Sequence, residues 1–149
     1  MIIKKFKIFE STEDSVRELE DIFLDIDLEF ECDVYVFHSS RFSSAQVSNG
    51  FYSICFEPIR SMSDGVLKDS EIDVNEFLSR VWKKIEFSKK MGFSTYKRER
   101  LGYGMLVIKD ELGGFSKSIE MDDNFFINPK LNGSERLISL TINLRKGDD

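Results

Sequence analysis

The sequence contains few of the residues that would commit it to a specialised class of protein. Only two cysteines, Cys32 and Cys55, occur in 149 residues, which excludes the disulfide framework of a small secreted domain. Two prolines leave little material for long extended linkers. No run approaches the ~18 apolar residues of a membrane helix, and residues 1–7 have no extended apolar segment of a secretory signal. We therefore expect a cytoplasmic protein with reduced thiols and no membrane segment.

Apolar residues are abundant and spread along the whole chain. They make up 41% of the sequence and include 14 phenylalanines, which argues against disorder. A chain of this length is typical of one domain, since domains commonly hold roughly 100–200 residues. Such a domain buries about two-thirds of the surface that its unfolded chain exposes. We predict one domain over residues 1–149.

The net charge of −6 conceals two opposite blocks of charge. Residues 10–33 hold eleven carboxylates against one cation, Arg17, a local charge of −10. Residues 80–100 hold eight lysines and arginines against two glutamates, a local charge of +6. Such blocks bear on partners and on association rates rather than on the fold.

The most unusual stretch is Asp25–Asp33, where carboxylates and apolar residues alternate without interruption. Because successive side chains of a strand point to opposite faces, this alternation favours a strand from about residue 27 to residue 38. One face would enter the core and the other would bind a cationic partner, with two aromatic anchors at its end. The predicted binding residues are Asp25, Asp27, Glu29, Glu31, Asp33, Tyr35 and Phe37.

Two alternatives apply to this stretch. The residues Leu19, Phe23, Ile26 and Phe30 also follow the three-and-four spacing of a helix, which would then reach Phe30 and leave Leu24 and Leu28 off its apolar stripe. Alternatively, a strand at this position could pair its carboxylates with cations of neighbouring strands, which would make the acidic face architectural. The candidate cations for such pairing are Lys5, Lys7, Lys97 and Arg98.

The rest of the pattern predicts an α+β fold with a largely antiparallel sheet of about six to seven strands and two helices packed on it. The helices are expected at about 12–25 and 74–90. Asp73 and Glu76 form a capping box for the second helix, and Gly92 suits the position after its end. Further strands are predicted at about 2–9, 51–57, 93–98, 103–109, 115–121 and 136–145, and loops at 39–50, 59–70 and 122–135.

No catalytic motif is recognisable, and we expect no enzyme activity, cofactor or metal. His38 is the only histidine, so any catalytic pair passes through it, with Cys55 as the candidate thiol. The basic segment 80–100 could contact phosphates, although a solvated helix face explains it more simply and nucleic-acid binding is not expected. Residues 125–127, in a predicted loop, form either a core plug or an exposed docking patch.

The expected function is non-enzymatic protein binding. Carboxylates at regular spacing present a negative potential where a nuclease expects nucleic-acid phosphates, and the resulting steering speeds association. In size, acidity and lack of catalytic residues, the chain is similar to small bacterial immunity proteins that neutralise toxin domains. The resemblance implies a toxin or nuclease domain as the partner. The alternatives are a nucleic-acid-associated domain using 80–100, an enzyme using His38, and self-association through the two charge blocks.

Overall fold

The computed structural model describes residues 2–39, 50–63, 65–69, 72–97, 102–110 and 114–146, with backbone alone for 2–11, 60–63 and 66–69. These residues form three helices, two of them long, and eight strands. The helices are α1 (Ile2–Phe30), α2 (Val74–Lys90) and α3 (Asp123–Ile127). The strands are β1 (Cys32–His38), β2 (Tyr52–Pro58), β3 (Arg60–Ser63), β4 (Val66–Asp69), β5 (Phe93–Thr95), β6 (Gly104–Asp110), β7 (Ser116–Met121) and β8 (Glu135–Lys146).

Six of the strands form one antiparallel sheet in the order β1-β2-β8-β6-β7, with β5 also paired to β8. Each pairing in this sheet is antiparallel. The predicted α+β fold with an antiparallel sheet is therefore confirmed. The long strand β8 lies at the centre and pairs with β2, β5 and β6, whereas β1 and β7 form the two ends of the order.

Both long helices pack on the same face of the sheet. Phe56 of β2 contacts Phe23 of α1 edge-on at a ring-centroid distance of 5.7 Å, and Phe77 of α2 at 5.6 Å. The two helices also meet each other, since Phe30 and Phe77 form an edge-to-face pair at 5.4 Å. The short helix α3 attaches to α2, because Phe126 stacks on Trp82 at 5.8 Å. In the described part of the chain, all three helices thus lie on one side, and we call the opposite side of the sheet the open face.

Helix α2 follows its sequence signals closely. The Asp73 carboxylate accepts a hydrogen bond from the backbone N–H of Glu76 at 3.2 Å, as the capping box predicts. The apolar stripe of the helix is buried, with Phe77, Leu78, Val81 and Ile85 all inaccessible to solvent. Gly92 adopts a φ of +96°, a left-handed conformation that glycine tolerates and that commonly ends helices. The predicted helix at 74–90 is confirmed.

The first third of the chain differs from the prediction. Residues 2–9 belong to helix α1 rather than to a strand, so no helix begins near residue 12. The same helix continues to Phe30, and the strand predicted from residue 27 begins only at Cys32. The helical stripe decides this outcome, because Leu19, Phe23, Ile26 and Phe30 are all buried. Leu24 and Leu28, which the helical alternative leaves off the stripe, are 50% and 74% exposed.

Several shorter predictions also need correction. The predicted loop at 59–70 contains the β3–β4 hairpin, and the predicted loop at 122–135 contains α3. Strand β5 is shorter than the predicted 93–98. The predicted β6–β7 hairpin and the last strand are confirmed to within one residue at each end. Most of the predicted loop at 39–50 lies outside the described residues. Among the described residues, no helix is both long enough and apolar enough to cross a membrane.

Candidate protein-binding surface

The five carboxylates predicted to share one strand face are divided among three elements. Asp25, Asp27 and Glu29 lie in the last turns of α1, Glu31 lies in the turn that follows, and Asp33 lies on β1. The prediction of one continuous acidic strand face is therefore wrong. A helix places residues about 100° apart around its axis, so Asp27 points away from Asp25 and Glu29, where a strand would have aligned all three.

Two of the carboxylates pair with cations of α2. Lys84 Nζ lies 2.8 Å from Asp25 Oδ2, and Arg80 Nε lies 3.2 Å from Glu29 Oε1. The hydrogen bond from Lys84, together with its charge, lowers the pKa of Asp25. Both pairs use a spacing of four residues on each helix, so they form two successive contacts along the α1–α2 interface. Asp25 and Glu29 thus join the two helices.

The cations in these two ion pairs are not those that the architectural alternative predicted. The partners are Arg80 and Lys84 of a helix, where the strand interpretation expected Lys5, Lys7, Lys97 or Arg98. The side chains of Lys5, Lys7 and Arg98 lie outside the described part of the structure. Lys97 is exposed and takes part in none of the described ion pairs.

The remaining three carboxylates gather with a fourth that the sequence did not single out. Asp33 lies directly opposite Glu57 in the β1–β2 ladder, and both side chains are exposed. The Glu31 carbonyl accepts a hydrogen bond from Ile59 N–H at 3.0 Å, which brings the turn against the end of β2. The charge of Asp33 raises the pKa of Tyr35 most, and the charges of Glu57 and Asp27 raise it further, so all three carboxylates act on the same hydroxyl. We call Asp27, Glu31, Asp33 and Glu57 the acidic patch.

Glu57 could not be found without the strand register. The alternation of β2 assigns Glu57 to its polar face, but only the pairing of residues 33 and 57 brings it beside the acidic stretch. Among the side chains that the structure describes, no cation forms an ion pair with Asp27, Asp33 or Glu57. Asp27, Asp33 and Glu57 therefore keep the negative charge that α2 neutralises at Asp25 and Glu29.

Two aromatic side chains adjoin the acidic patch on the open face. Tyr35 and Phe37 follow Asp33 at every second position of β1, and their rings are stacked with centroids 6.2 Å apart. The Tyr35 hydroxyl donates a hydrogen bond to Asp33 Oδ2 at 3.3 Å, and the Asp33 charge raises the pKa of Tyr35. Tyr35 is 43% exposed. The structure therefore brings Asp33, Tyr35 and Phe37 together, as the sequence predicted for these three.

The turn between α1 and β1 holds an unusual backbone conformation. Glu31 has a φ of +51°, the only positive φ of a non-glycine residue among those described. Glycine or asparagine is usual after a helix at this conformation, because a side chain there meets the backbone. The chain thus retains a charged side chain at a position that favours glycine, next to Asp33.

The basic segment 80–100 is partly engaged within the molecule. Arg80 and Lys84 pair with α1, and Lys89 Nζ lies 5.1 Å above the Trp82 ring centroid, within the range of a cation–π contact. Lys83, Lys90 and Lys97 are exposed. Arg98 and Arg100 lie outside the described residues. The +6 block is therefore not a single free surface.

The sheet separates the residues of the proposed cysteine–histidine pair. His38 pairs with Tyr52, whose ring it contacts edge-on at 4.8 Å, on the side of the helices. Cys55 lies opposite Tyr35 on the open face, where Thr141 Oγ1 donates to its Sγ at 3.6 Å. Burial raises the pKa of the Cys55 thiol. The two side chains point to opposite faces, so they form no catalytic pair.

Cys32 is equally poor as a nucleophile. Its side chain is inaccessible to solvent, and its Sγ donates to the Ile26 carbonyl at 3.7 Å. Burial, with the charges of Asp27 and Asp33, raises its pKa to about 12. Since the thiolate is the reactive form, this thiol is inert at neutral pH.

Residues 125–127 are divided between the core and the surface, and lie in a helix rather than in the predicted loop. Phe126 is buried between Trp82 and Tyr103, with ring-centroid distances of 5.8 Å and 6.0 Å. Ile127 is 64% exposed, at the rim of a groove of about 370 Å³ between α2 and α3. The short helix α3 thus anchors itself with one residue and exposes the next.

Comparison of the chain with protein-family models, with curated proteins and with solved structures finds no match in any of the three. The candidate surface is therefore assigned from the geometry of its residues alone. It consists of the acidic patch and the Tyr35–Phe37 pair, at the end of the sheet formed by β1 and β2.

Proposed function

We propose that the protein binds a cationic protein partner without catalysing a reaction, and that the acidic patch with Tyr35 and Phe37 is the binding surface. The observation that carries the proposal is the Asp33–Glu57 pair, two exposed carboxylates directly opposite each other beside the stacked rings of the exposed Tyr35 and the half-buried Phe37. The kind of partner that fits is a toxin or nuclease domain whose basic surface binds phosphates, and the protein would act in the cytoplasm as its inhibitor.

The energetics of the pair support a role in binding. Like charges placed directly opposite in an antiparallel ladder are destabilising. Two unit charges ~5 Å apart repel by about 0.8 kcal/mol even in bulk water. No described cation offsets this repulsion between Asp33 and Glu57. A lysine or arginine brought by a partner would remove it, so association relieves a cost that the free protein bears.

The aromatic pair supplies the apolar part of the surface. Tyrosine is enriched among the residues that dominate binding energy, because it buries a large rigid area and keeps a polar tip. A guanidinium or ammonium group above Tyr35 or Phe37 would also gain a cation–π contact. The adjacent negative charge would steer a cationic protein toward this surface and raise the association rate. Charge and aromatic area thus favour the same class of partner.

A co-purification experiment tests the proposal. Three tagged baits are compared in lysate of the source cell: the wild type, the double variant Asp33→Asn with Glu57→Gln, and the matched control Asp14→Asn with Glu20→Gln. The control also removes two negative charges, one aspartate and one glutamate, but from exposed positions of α1. Asp14 lies 16 residues before the end of that helix, about 24 Å along its axis.

The proposal expects a basic protein that the wild type and the control retain and that the double variant loses. With the purified partner, the wild-type association rate should fall steeply between low and high salt, and the double variant should show a shallower dependence. Equal retention by all three baits, or no retained protein, would contradict the proposal.

A further inference from the structure

Strand β1 lies at one end of the sheet order, with β2 on one side only. Within the described part of the chain, no strand pairs with its other side. An edge strand presents a row of backbone N–H and C=O groups that can pair with another chain. The direction of these groups alternates along the strand, so the ladder determines which residues present them.

Two hydrogen bonds fix the alternation at both ends of β1. Ser39 N–H donates to the Phe51 carbonyl at 2.8 Å, and Ile59 N–H donates to the Glu31 carbonyl at 3.0 Å. The odd-numbered residues of β1 therefore direct their backbone groups toward β2. The N–H and C=O groups of Val34 and Val36 point away from β2, to the side of β1 where no described strand lies.

We propose that an extended, cationic segment of the partner adds as a further strand to β1 through the backbone groups of Val34 and Val36. This inference rests on the proposed function, because it concerns the same surface and names the mode of binding. Strand addition obtains affinity from main-chain hydrogen bonds and specificity from alternate side chains. The partner's segment therefore needs side chains that suit the two faces of β1.

The chemistry of those two faces selects the segment. On the open face, the added strand would lie beside Asp33, Tyr35 and Phe37, which favour lysine or arginine. On the helix side, it would lie beside the half-buried Val34 and Val36, which favour β-branched apolar residues. A second copy of this chain does not supply this chemistry, since its own β1 presents Asp33, Tyr35 and Phe37 on the open face and no lysine or arginine. The occupant is therefore a strand that alternates cationic and β-branched residues.

A synthetic peptide probes the mode directly. The probe is an acetylated and amidated heptapeptide with lysine or arginine at odd positions and valine at even positions. The control has the same sequence with alternate backbone nitrogens methylated, which removes the donors along one edge of the strand. Affinities for the full chain are measured by titration at low salt, and exchange of individual amides is followed by NMR on labelled protein.

If the peptide binds by strand addition, we expect slower amide exchange at Val34 and Val36 in the complex. The exchange at Tyr35 should change little, because its backbone N–H already bonds to β2. We also expect the methylated peptide to bind about tenfold more weakly, since two or more hydrogen bonds are lost. Unchanged exchange at Val34 and Val36 in the saturated complex would overturn the inference, as would the absence of any binding by the unmethylated peptide.

Two variants of Val36 distinguish the contribution of the backbone hydrogen bond to peptide binding from the contribution of side-chain packing. Val36→Pro removes one outward N–H, a substitution that edge strands tolerate, and Val36→Ala matches its loss of packing. Weaker peptide binding by Val36→Pro than by Val36→Ala is expected. Equal peptide binding by Val36→Pro and Val36→Ala would overturn strand addition. The proposed function would still stand in that case if the double variant Asp33→Asn with Glu57→Gln captured less of the partner than the wild type.

Sedimentation of the protein in the absence of peptide tests whether a second copy of this chain pairs with β1. A dimer that protects Val34 and Val36 from exchange in the absence of peptide would identify a second copy as the occupant and overturn the proposal. We expect a monomer at low salt, where repulsion between two chains that each carry a net charge of −6 is strongest.

Discussion

Lys84 and Asp25 form the closest described ion pair of the molecule, with 2.8 Å between Nζ and Oδ2 across the α1–α2 interface. A double-mutant cycle with Asp25→Asn and Lys84→Met should give a small favourable coupling free energy that shrinks in high salt. The pKa of Asp25 is lowered in the folded protein, so this contribution is present above the unfolded-state value near 3.8. It should disappear as the pH falls through the lower folded value. Urea unfolding followed by Trp82 fluorescence measures each variant.

The outcome at Ile26 and Leu28 separates the two interpretations of the acidic stretch. A strand would place both side chains on one buried face, whereas the helix leaves Ile26 1% exposed and Leu28 74% exposed. Ile26→Ala should lower the free energy of unfolding by about 2–5 kcal/mol, the usual cost of a buried truncation. Leu28→Ala should change it by less than about 0.5 kcal/mol. Similar large losses for both variants in urea unfolding would contradict the helix.

Glu57→Gln should make the free protein more stable. The substitution removes one of the two like charges that face each other across β1 and β2, and such cross-strand terms amount to about 0.2–1 kcal/mol. Glu20→Gln removes an exposed charge from α1 and serves as the control, with little change expected. The midpoint of urea unfolding is the measurement. A lower midpoint for Glu57→Gln than for the wild type would show that Glu57 has a stabilising partner.

The buried thiol of Cys32 predicts a loss of stability at alkaline pH. Its pKa rises from the ordinary value of 9.0 to about 12 in the folded protein, so the unfolded chain ionises first as the pH increases. The contribution is complete below pH 9 and is lost as the pH rises through 12. At 1.36 kcal/mol per pKa unit, the loss is on the order of 2–4 kcal/mol.

Cys32→Ala provides the comparison for this pH dependence. Tyr103, whose pKa is also raised by burial, ionises in both proteins and cancels in the difference. The free energy of unfolding of the wild type should therefore fall more steeply between pH 9 and 12 than that of Cys32→Ala. Parallel pH profiles would show that Cys32 ionises equally in both states.

The sequence predicted best where several local signals agreed. For α2, the Asp73 cap, the apolar stripe and Gly92 all indicate the same boundaries, and the helix has those boundaries. The β6–β7 hairpin is similarly marked by turn residues between two strands. The class of fold follows from these elements, because hairpin-linked strands pair antiparallel.

The secondary structure of the acidic stretch was harder to predict, because the same residues fit both the period of a strand and the period of a helix. Ile26 and Phe30 satisfy both a repeat of two and a repeat of four, so the residues between them decide, and the exposed Leu28 contradicts only the strand. Contacts that span the chain could not be read from the sequence at all. Arg80 meets Glu29, and Glu57 meets Asp33, only because the helices pack side by side and the register of β1 on β2 is fixed by the whole sheet.

The central place of β8 has a consequence for how the protein is made. Three other strands of the sheet pair with β8, yet β8 follows all of them along the chain. Strands β2 and β6 come out much earlier and have no direct pairing with each other among the described residues. The sheet therefore cannot close before residue 146 has left the ribosome. At about 5–20 residues per second, the nascent chain spends several seconds with β2 and β6 complete and their common partner β8 still missing.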